Sequence, residues 1–456
     1  MKTHAIQYEK YPNDFYFVHQ KAPHKLPLCS IHLFCDVGSA FETNELRGIA
    51  HFLEHMLFQG TKQRSAEQIF EEYDRIGTQF NAYTTKRYTC FYVKCHIRHS
   101  KRVLQLLSDV MRNSVIQKDT IHKESKVVQQ ENRNRLNNYK SRTQSEFERR
   151  IYQNSSFEFP IDDIVYRGKS EQPISQDTLR EWYHWFYRPS NMVLSVVSNE
   201  SMTYWKKILF RTSFTQTPFR SVEDTKPKHA LSFPIQHNIP YKSEIDITAK
   251  REKDMENTHL VLGFRTVNQY SDKKYLFSML THVLNGMSGR LFTLLRQDHP
   301  LVYYATASAD QEEYTGYFSV TTEFEDGHLE KVVELLVGLF SDLAKNGIKP
   351  KEFEIAQSRI RGTHTILYEN TDTFASHNGH DFLVFVRDTD NARHYKKTKV
   401  APFETILETH YKPITIAQLN SLIREYFHPQ NMVVALMSSK KVSLAKLKTL
   451  CEKMAE

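Results

Sequence analysis

The chain is expected to be an α+β protein made of two tandem homologous domains, each a mainly antiparallel sheet with helices packed on it. Three observations lead there. At 456 residues the chain exceeds what one ordinary hydrophobic core organises, so more than one domain is expected. A set of landmarks recurs at a constant offset of 240: Pro173-Ile174-Ser175, Leu179 and Tyr187-Arg188-Pro189-Ser190-Asn191-Met192-Val193 return as Pro413-Ile414-Thr415, Leu419 and Phe427-His428-Pro429-Gln430-Asn431-Met432-Val433. Between these landmarks, short strand-like and helix-like segments are interspersed, which suits sheets covered by helices.

Each copy of the landmark reads the same way. Ser175 or Thr415 caps a helix, the helix ends before a proline, and an apolar strand follows over Met192 to Val197 or Met432 to Met437. In the first half, Leu28 to Val37 is an apolar, partly alternating strand; Arg47 to Phe58 is helical; Ala66 to Ile76 is an amphipathic helix closed by Gly77. Gln79 to Thr85 and Thr89 to Ile97, rich in aromatic and β-branched residues, read as paired strands, and helices follow near Lys101 to Val115 and Asp119 to Asn138. The second half repeats the theme, with strands at Thr258 to Phe264, Ala305 to Ala309 and Gly316 to Thr322 and helices at Tyr275 to Leu284 and Leu329 to Ala344. The expected domains are 1–222 and 258–456. The linker region 223–257 lies in a polar stretch running from about Thr212 to Asn257, where Ala230 to Ile235 could still form a strand.

Composition narrows the function classes. No apolar run approaches the ~18 residues that span a bilayer, and the first residues resemble neither a secretory signal nor a transit peptide, so no membrane association and a cytoplasmic address are expected. The five cysteines contain no C-x-x-C pair and read as small, semi-buried, reduced residues. A net charge of +8 without any long basic block argues against a nucleic-acid footprint.

His51-Phe52-Leu53-Glu54-His55 carries the chemistry. At 3.6 residues per turn, positions i, i+3 and i+4 share a helix face. His51 and His55 can therefore chelate one zinc ion, with Glu54 placed to take a proton from water at the metal. This H-x-x-E-H order is the inverted zincin signature. A third ligand must come from elsewhere. Glu124 and Glu131, two turns apart on one helix face, could both point at the site, one binding metal and the other orienting a ligating histidine.

The segment from Gly38-Ser39-Ala40-Phe41-Glu42 through Gly48 to Thr61, with His51 to His55 inside it, resembles the signature of the pitrilysin or insulinase-type zinc metallopeptidases, which include the mitochondrial processing peptidases. The resemblance covers essentially the whole chain and implies the processing-peptidase-like metallohydrolase fold, with metal ligands only in the first of two homologous domains. It implies Glu131, 76 residues after His55, as third ligand and Glu124 as the acid behind it. Asn81, Ala82 and Tyr83, within Asn81-Ala82-Tyr83-Thr84, would belong to the edge strand that pairs with an extended peptide. In the second half Leu280 to Met287 lacks the acid and second histidine, so no metal is expected there, and His282 reads as a partly buried structural residue. Gly286 to Phe292 resembles the family's Gly-rich segment, and Arg296 and Tyr303, spaced by seven, resemble its Arg/Tyr pair, which in catalytic members helps bind substrate and stabilise the tetrahedral intermediate.

The resemblance thus implies a zinc endopeptidase with one Zn2+ per chain acting on peptides or unfolded protein segments. Short members dimerise so that the Arg/Tyr pair faces the partner's zinc, which implies a homodimer, or else a heterodimer with a related subunit. Some relatives are non-catalytic assembly subunits or scaffolds. Against that stand His51, Glu54, His55, Glu124 and Glu131, all intact here.

Overall fold

The computed structural model of the chain describes residues 4–162, 174–216, 244–387 and 399–455. The described residues fall into two compact units. The first takes them from Met1–Arg133, Pro160–Ile235 and Thr365–Thr405, the second from Asn134–Phe159, Gln236–His364 and Ile406–Glu456.

In the first unit a six-stranded sheet runs β1-β2-β6-β3-β5-β4, with β1 Gln7–Lys10, β2 Tyr16–Lys21, β3 Leu28–Cys35, β4 Gln79–Thr84, β5 Thr89–His96 and β6 Met192–Ser198. Among the described strands of this unit only β2 and β6 pair in parallel. In the second unit the order is β7-β11-β8-β10-β9, with β7 Asp246–Arg251, β8 Asn257–Thr266, β9 Val302–Gln311, β10 Gly316–Glu325 and β11 Met432–Ser438; here β7 and β11 are the parallel pair. Apart from β1, the two sheets share one strand order and one pairing pattern, which is the α+β tandem that the repeat predicts. β7 and the first residue of β8 lie inside the segment expected to be linker. The candidate strand at Ala230 to Ile235 lies outside the described residues.

The period of two along each strand assigns the faces. Cys29, Ile31, Leu33 and Cys35 of β3 and Met192, Leu194 and Val196 of β6 join the main core with helix α1 (Ile49–Leu57), α2 (Ala66–Ile76) and α3 (Ser100–Asn113). The alternate residues face the helix Thr371–Asp381: Ser30 hydrogen-bonds Thr371 at 2.7 Å, and a Cβ at Gly379 would overlap the Phe34 ring. The second sheet is built alike. Leu260, Leu262 and Phe264 face its core, while a Cβ on Gly263 of β8 would sit 2.8 Å from Phe147 Cζ of α5 (Tyr139–Ile151). Each half of the chain thus contributes one helix to the sheet formed by the other half. This differs from contiguous domains at 1–222 and 258–456, because the apolar side of α5, Thr143, Phe147 and Ile151, is buried on β8 and β11.

The repeated asparagine has the same task twice. Asn191 Nδ2 donates to Phe186 O and Asp36 O, and Asn431 Nδ2 donates to Tyr426 O and Arg265 O, so each fastens a helix end to its sheet. Among the described residues no helix is long and apolar enough to cross a membrane.

Candidate metal centre

Helix α1 has a glycine, Gly48, at its N-cap, with φ +81, and no capping side chain of its own. The Glu42 carboxylate takes that role: it accepts from Gly48 N at 2.7 Å and Ala50 N at 2.9 Å, and its negative charge suits the positive end of the helix. Ile49, Ala50, Phe52, Leu53, Met56 and Leu57 are buried, leaving His51 and His55 together on the remaining face. Their rings stand 4.9 Å apart and nearly perpendicular.

Helix α4 (Lys118–Asn137) buries Ile121, Ser125 and Val128, and turns Glu124 and Glu131 toward α1. Glu131 Oε2 lies 3.4 Å from His55 Nε2 and 3.8 Å from His51 Nε2. Glu124 Oε2 lies 3.4 Å from the other nitrogen of the same ring, His55 Nδ1. Zinc bonds of 2.0–2.1 Å in a tetrahedron place ligand atoms roughly 3.3 Å apart. The His51, His55 and Glu131 donor atoms, all within 4.8 Å of one another, fit such a site with little adjustment.

Burial and neighbouring charges act differently on the two histidines. Burial, aided by His55, pushes the His51 imidazole down to about 4, so it is neutral and offers its lone pair. Burial also opposes the charge on His55, but its bond to Glu124 and the nearby Glu131 carboxylate outweigh this and raise it. Glu54 is buried, which raises its carboxyl, while a hydrogen bond from Thr84 pulls part of the way back. A carboxylate raised in this way is a better proton acceptor near neutral pH.

Asn81, Ala82 and Tyr83 lie on β4, which among the described residues is the edge of the first sheet and pairs with β5 on one side only. Ala82 N is taken by the Asn81 side chain at 2.8 Å, and Phe80 stacks on Tyr73 of α2 at 4.0 Å, fixing the strand. Two contributors escaped the sequence reading, Glu42 as the cap of α1 and the Thr84 hydroxyl on Glu54. Their signal was present in the segments Gly38 to Glu42 and Asn81 to Thr84, but only three-dimensional proximity gives it meaning.

In the second unit the helix Lys273–Leu284 occupies the place of α1 in the repeat. Arg359 donates to His282 O at 2.9 Å and to Asn285 O, and burial followed by Arg359 lowers the half-buried His282. An arginine therefore fastens the end of this helix, and no second cluster of metal-binding groups occurs among the described residues. Arg296 Nη1 donates to Tyr303 O at 3.1 Å, and its guanidinium lies 5.5 Å from the Tyr303 ring, which is 79% exposed on β9.

Comparison with known proteins agrees with this layout. The family profile "Insulinase (Peptidase family M16)" fits residues 17–161, and the profile "Peptidase M16 inactive domain" fits residues 173–360. The uncharacterized zinc protease YmxG of Bacillus subtilis is 30% identical over 356 residues, covering 78% of this chain and 83% of that protein. An uncharacterized zinc protease of Rickettsia bellii is 27% identical over 361 residues, 78% of this chain and 82% of its own length. Among solved structures, a protease from Helicobacter pylori shares the fold with a TM-score of 0.84 at 17% identity, over 95% of this chain and 100% of that one. The first half of the periplasmic protease PqqL from Escherichia coli gives 0.73 at 16% identity, over 99% and 96%. The chain belongs to the insulinase-type peptidase family, M16.

Proposed function

We propose that the chain is a zinc-dependent endopeptidase that hydrolyses extended peptides or unfolded protein segments, with Glu54 as general base. The observation that carries this reading is the convergence of His51, His55 and Glu131 beside the buried Glu54 carboxylate. His51 Nε2, His55 Nε2 and Glu131 would hold one zinc ion per chain, and Glu124 would orient His55 through Nδ1. When bound, zinc supplies Lewis-acid polarisation of the scissile carbonyl and makes a water easier to deprotonate. Glu54 accepts the proton of the attacking water and hands it to the leaving amine. The outer edge of β4 at Asn81, Ala82 and Tyr83 would hold the peptide by main-chain pairing, with Ala82 N exchanging its bond to the Asn81 side chain for one to the substrate; such pairing selects extended segments with little demand on sequence. Zinc analysis and a quenched-peptide assay on wild type and Glu54→Gln test the proposal.

Arg296 and Tyr303 are assigned to the site of a second copy, where they would hydrogen-bond the oxyanion or the neighbouring substrate backbone. Support comes from their preassembly, guanidinium against ring, with the phenol exposed. The expected state is a homodimer, or failing that a heterodimer with a related subunit. A chain that is monomeric and fully active at nanomolar concentration would sink this assignment.

A further inference from the structure

We infer that Thr84 is a positioning residue for Glu54, so that the strand expected to hold the peptide also aims the base. This rests on the reading of Glu54 as general base. Thr84 Oγ1 donates to Glu54 Oε2 at 2.5 Å, and it is the sole hydrogen-bond partner of that carboxylate among the described residues. With one oxygen held, the carboxylate keeps a single rotamer and its other oxygen is left to receive a proton.

Thr84 itself is fixed from several sides. It ends β4 opposite Thr89, whose hydroxyl donates to Val37 O at 2.9 Å. The turn that follows is tied by Thr85 N to Tyr88 O at 2.8 Å and clamped from outside: Ser39 N donates to Thr85 O at 3.1 Å and Ala40 N to Lys86 O at 2.8 Å. The approach is so close that a Cβ on Gly38 would collide with the Thr85 and Lys86 carbonyls. The same short segment ends in Glu42, which caps α1. Gly38 to Glu42 therefore sets β4 and α1 in register, and the Thr84–Glu54 hydrogen bond is the contact between functional groups that this register produces.

The test compares Thr84→Val, which removes the hydroxyl at nearly constant shape, with Thr84→Ser, which keeps it, and with Thr84→Val in a Glu54→Gln background. Zinc content, KM and kcat are measured on each. Thr84→Val is expected to lower kcat about tenfold, with zinc content and KM within about twofold of wild type. Thr84→Ser recovers most of that loss, and the valine adds no further loss when Glu54 is already glutamine. The inference is overturned if Thr84→Val keeps wild-type kcat, if it acts through KM or loses zinc, or if serine fails to rescue. A wild-type chain that binds zinc yet cleaves no peptide overturns the reading beneath it, and the role of Thr84 with it. A wild type that cleaves while Thr84→Val is unaffected overturns Thr84 alone.

Discussion

Glu124 offers a quantitative test of the metal centre, because it touches His55 and, on this account, not the metal. Replacing it with alanine leaves His51, His55 and Glu131 in place but removes the acceptor 3.4 Å from His55 Nδ1. Partners of this kind are worth roughly 10- to 100-fold in metal affinity. A separation of 3.4 Å is at the long end for a hydrogen bond, and the Glu124 side chain is only 14% exposed, so the contact is loose but poorly replaced by water. The lower end of the range follows, about tenfold in zinc affinity or about 1.4 kcal/mol. Glutamine keeps an acceptor without the charge and should lose less. The assay is competition for zinc with a chromophoric chelator at pH 8, where protonation of the imidazoles weighs least. Affinity within twofold of wild type would refute the orienting role. Complete loss of zinc would refute it in the other direction, by making Glu124 a ligand.

Two further predictions concern stability. His19 on β2 is 2% exposed, and burial pushes its imidazole from 6.5 down to about 4. The unfolded chain therefore takes up this proton near pH 6.5 and the folded chain only near 4, so the stability is full above pH 6.5 and falls by about 3 kcal/mol towards pH 4. Urea unfolding at pH 7 and pH 5 should show this slope, and His19→Leu should flatten it; an unchanged slope refutes the assignment. Phe147→Ala empties a fully buried site between Gly263 and Tyr317, whose ring is 5.2 Å away, and should cost about 3–5 kcal/mol of stability in the second unit, read as a lower urea midpoint. A loss below 1 kcal/mol would show that the exchanged helix is not held by this ring.

Much of the fold was legible because its signals are local. Ser65 and Gln68 form a capping box and Gly77 ends α2 with φ +67, so α2 runs from Ala66 to Ile76 as its sequence pattern indicates. The i, i+4 spacing of the two histidines leads directly to neighbouring rings, and the two-turn spacing of Glu124 and Glu131 to two carboxylates on opposite nitrogens of His55. What local pattern could not convey is partnership at long range. β2 is buried from Tyr16 to Gln20 without alternation, because it is an interior strand covered on both faces. β7 hides in a polar stretch and is a strand by virtue of its parallel pairing with β11. Nothing in α5, or in Thr371–Asp381 with its buried Asn378 and Gly379, says which sheet the helix will cover. That choice is made by shape, at Gly263 and Gly379, where a bare backbone admits a phenylalanine ring from elsewhere in the chain.

On the proposed function, a metal held by His51, His55 and Glu131 works together with Glu54 acting on protons, and the Glu54→Gln variant separates the two. Zinc content by elemental analysis and turnover of a quenched peptide are measured on the same samples of wild type and variant. About one zinc per chain is expected in both, with turnover in the wild type and a loss of about 10²-fold or more in the variant. Equal turnover in the two, or a wild type without zinc that still cleaves, would contradict it.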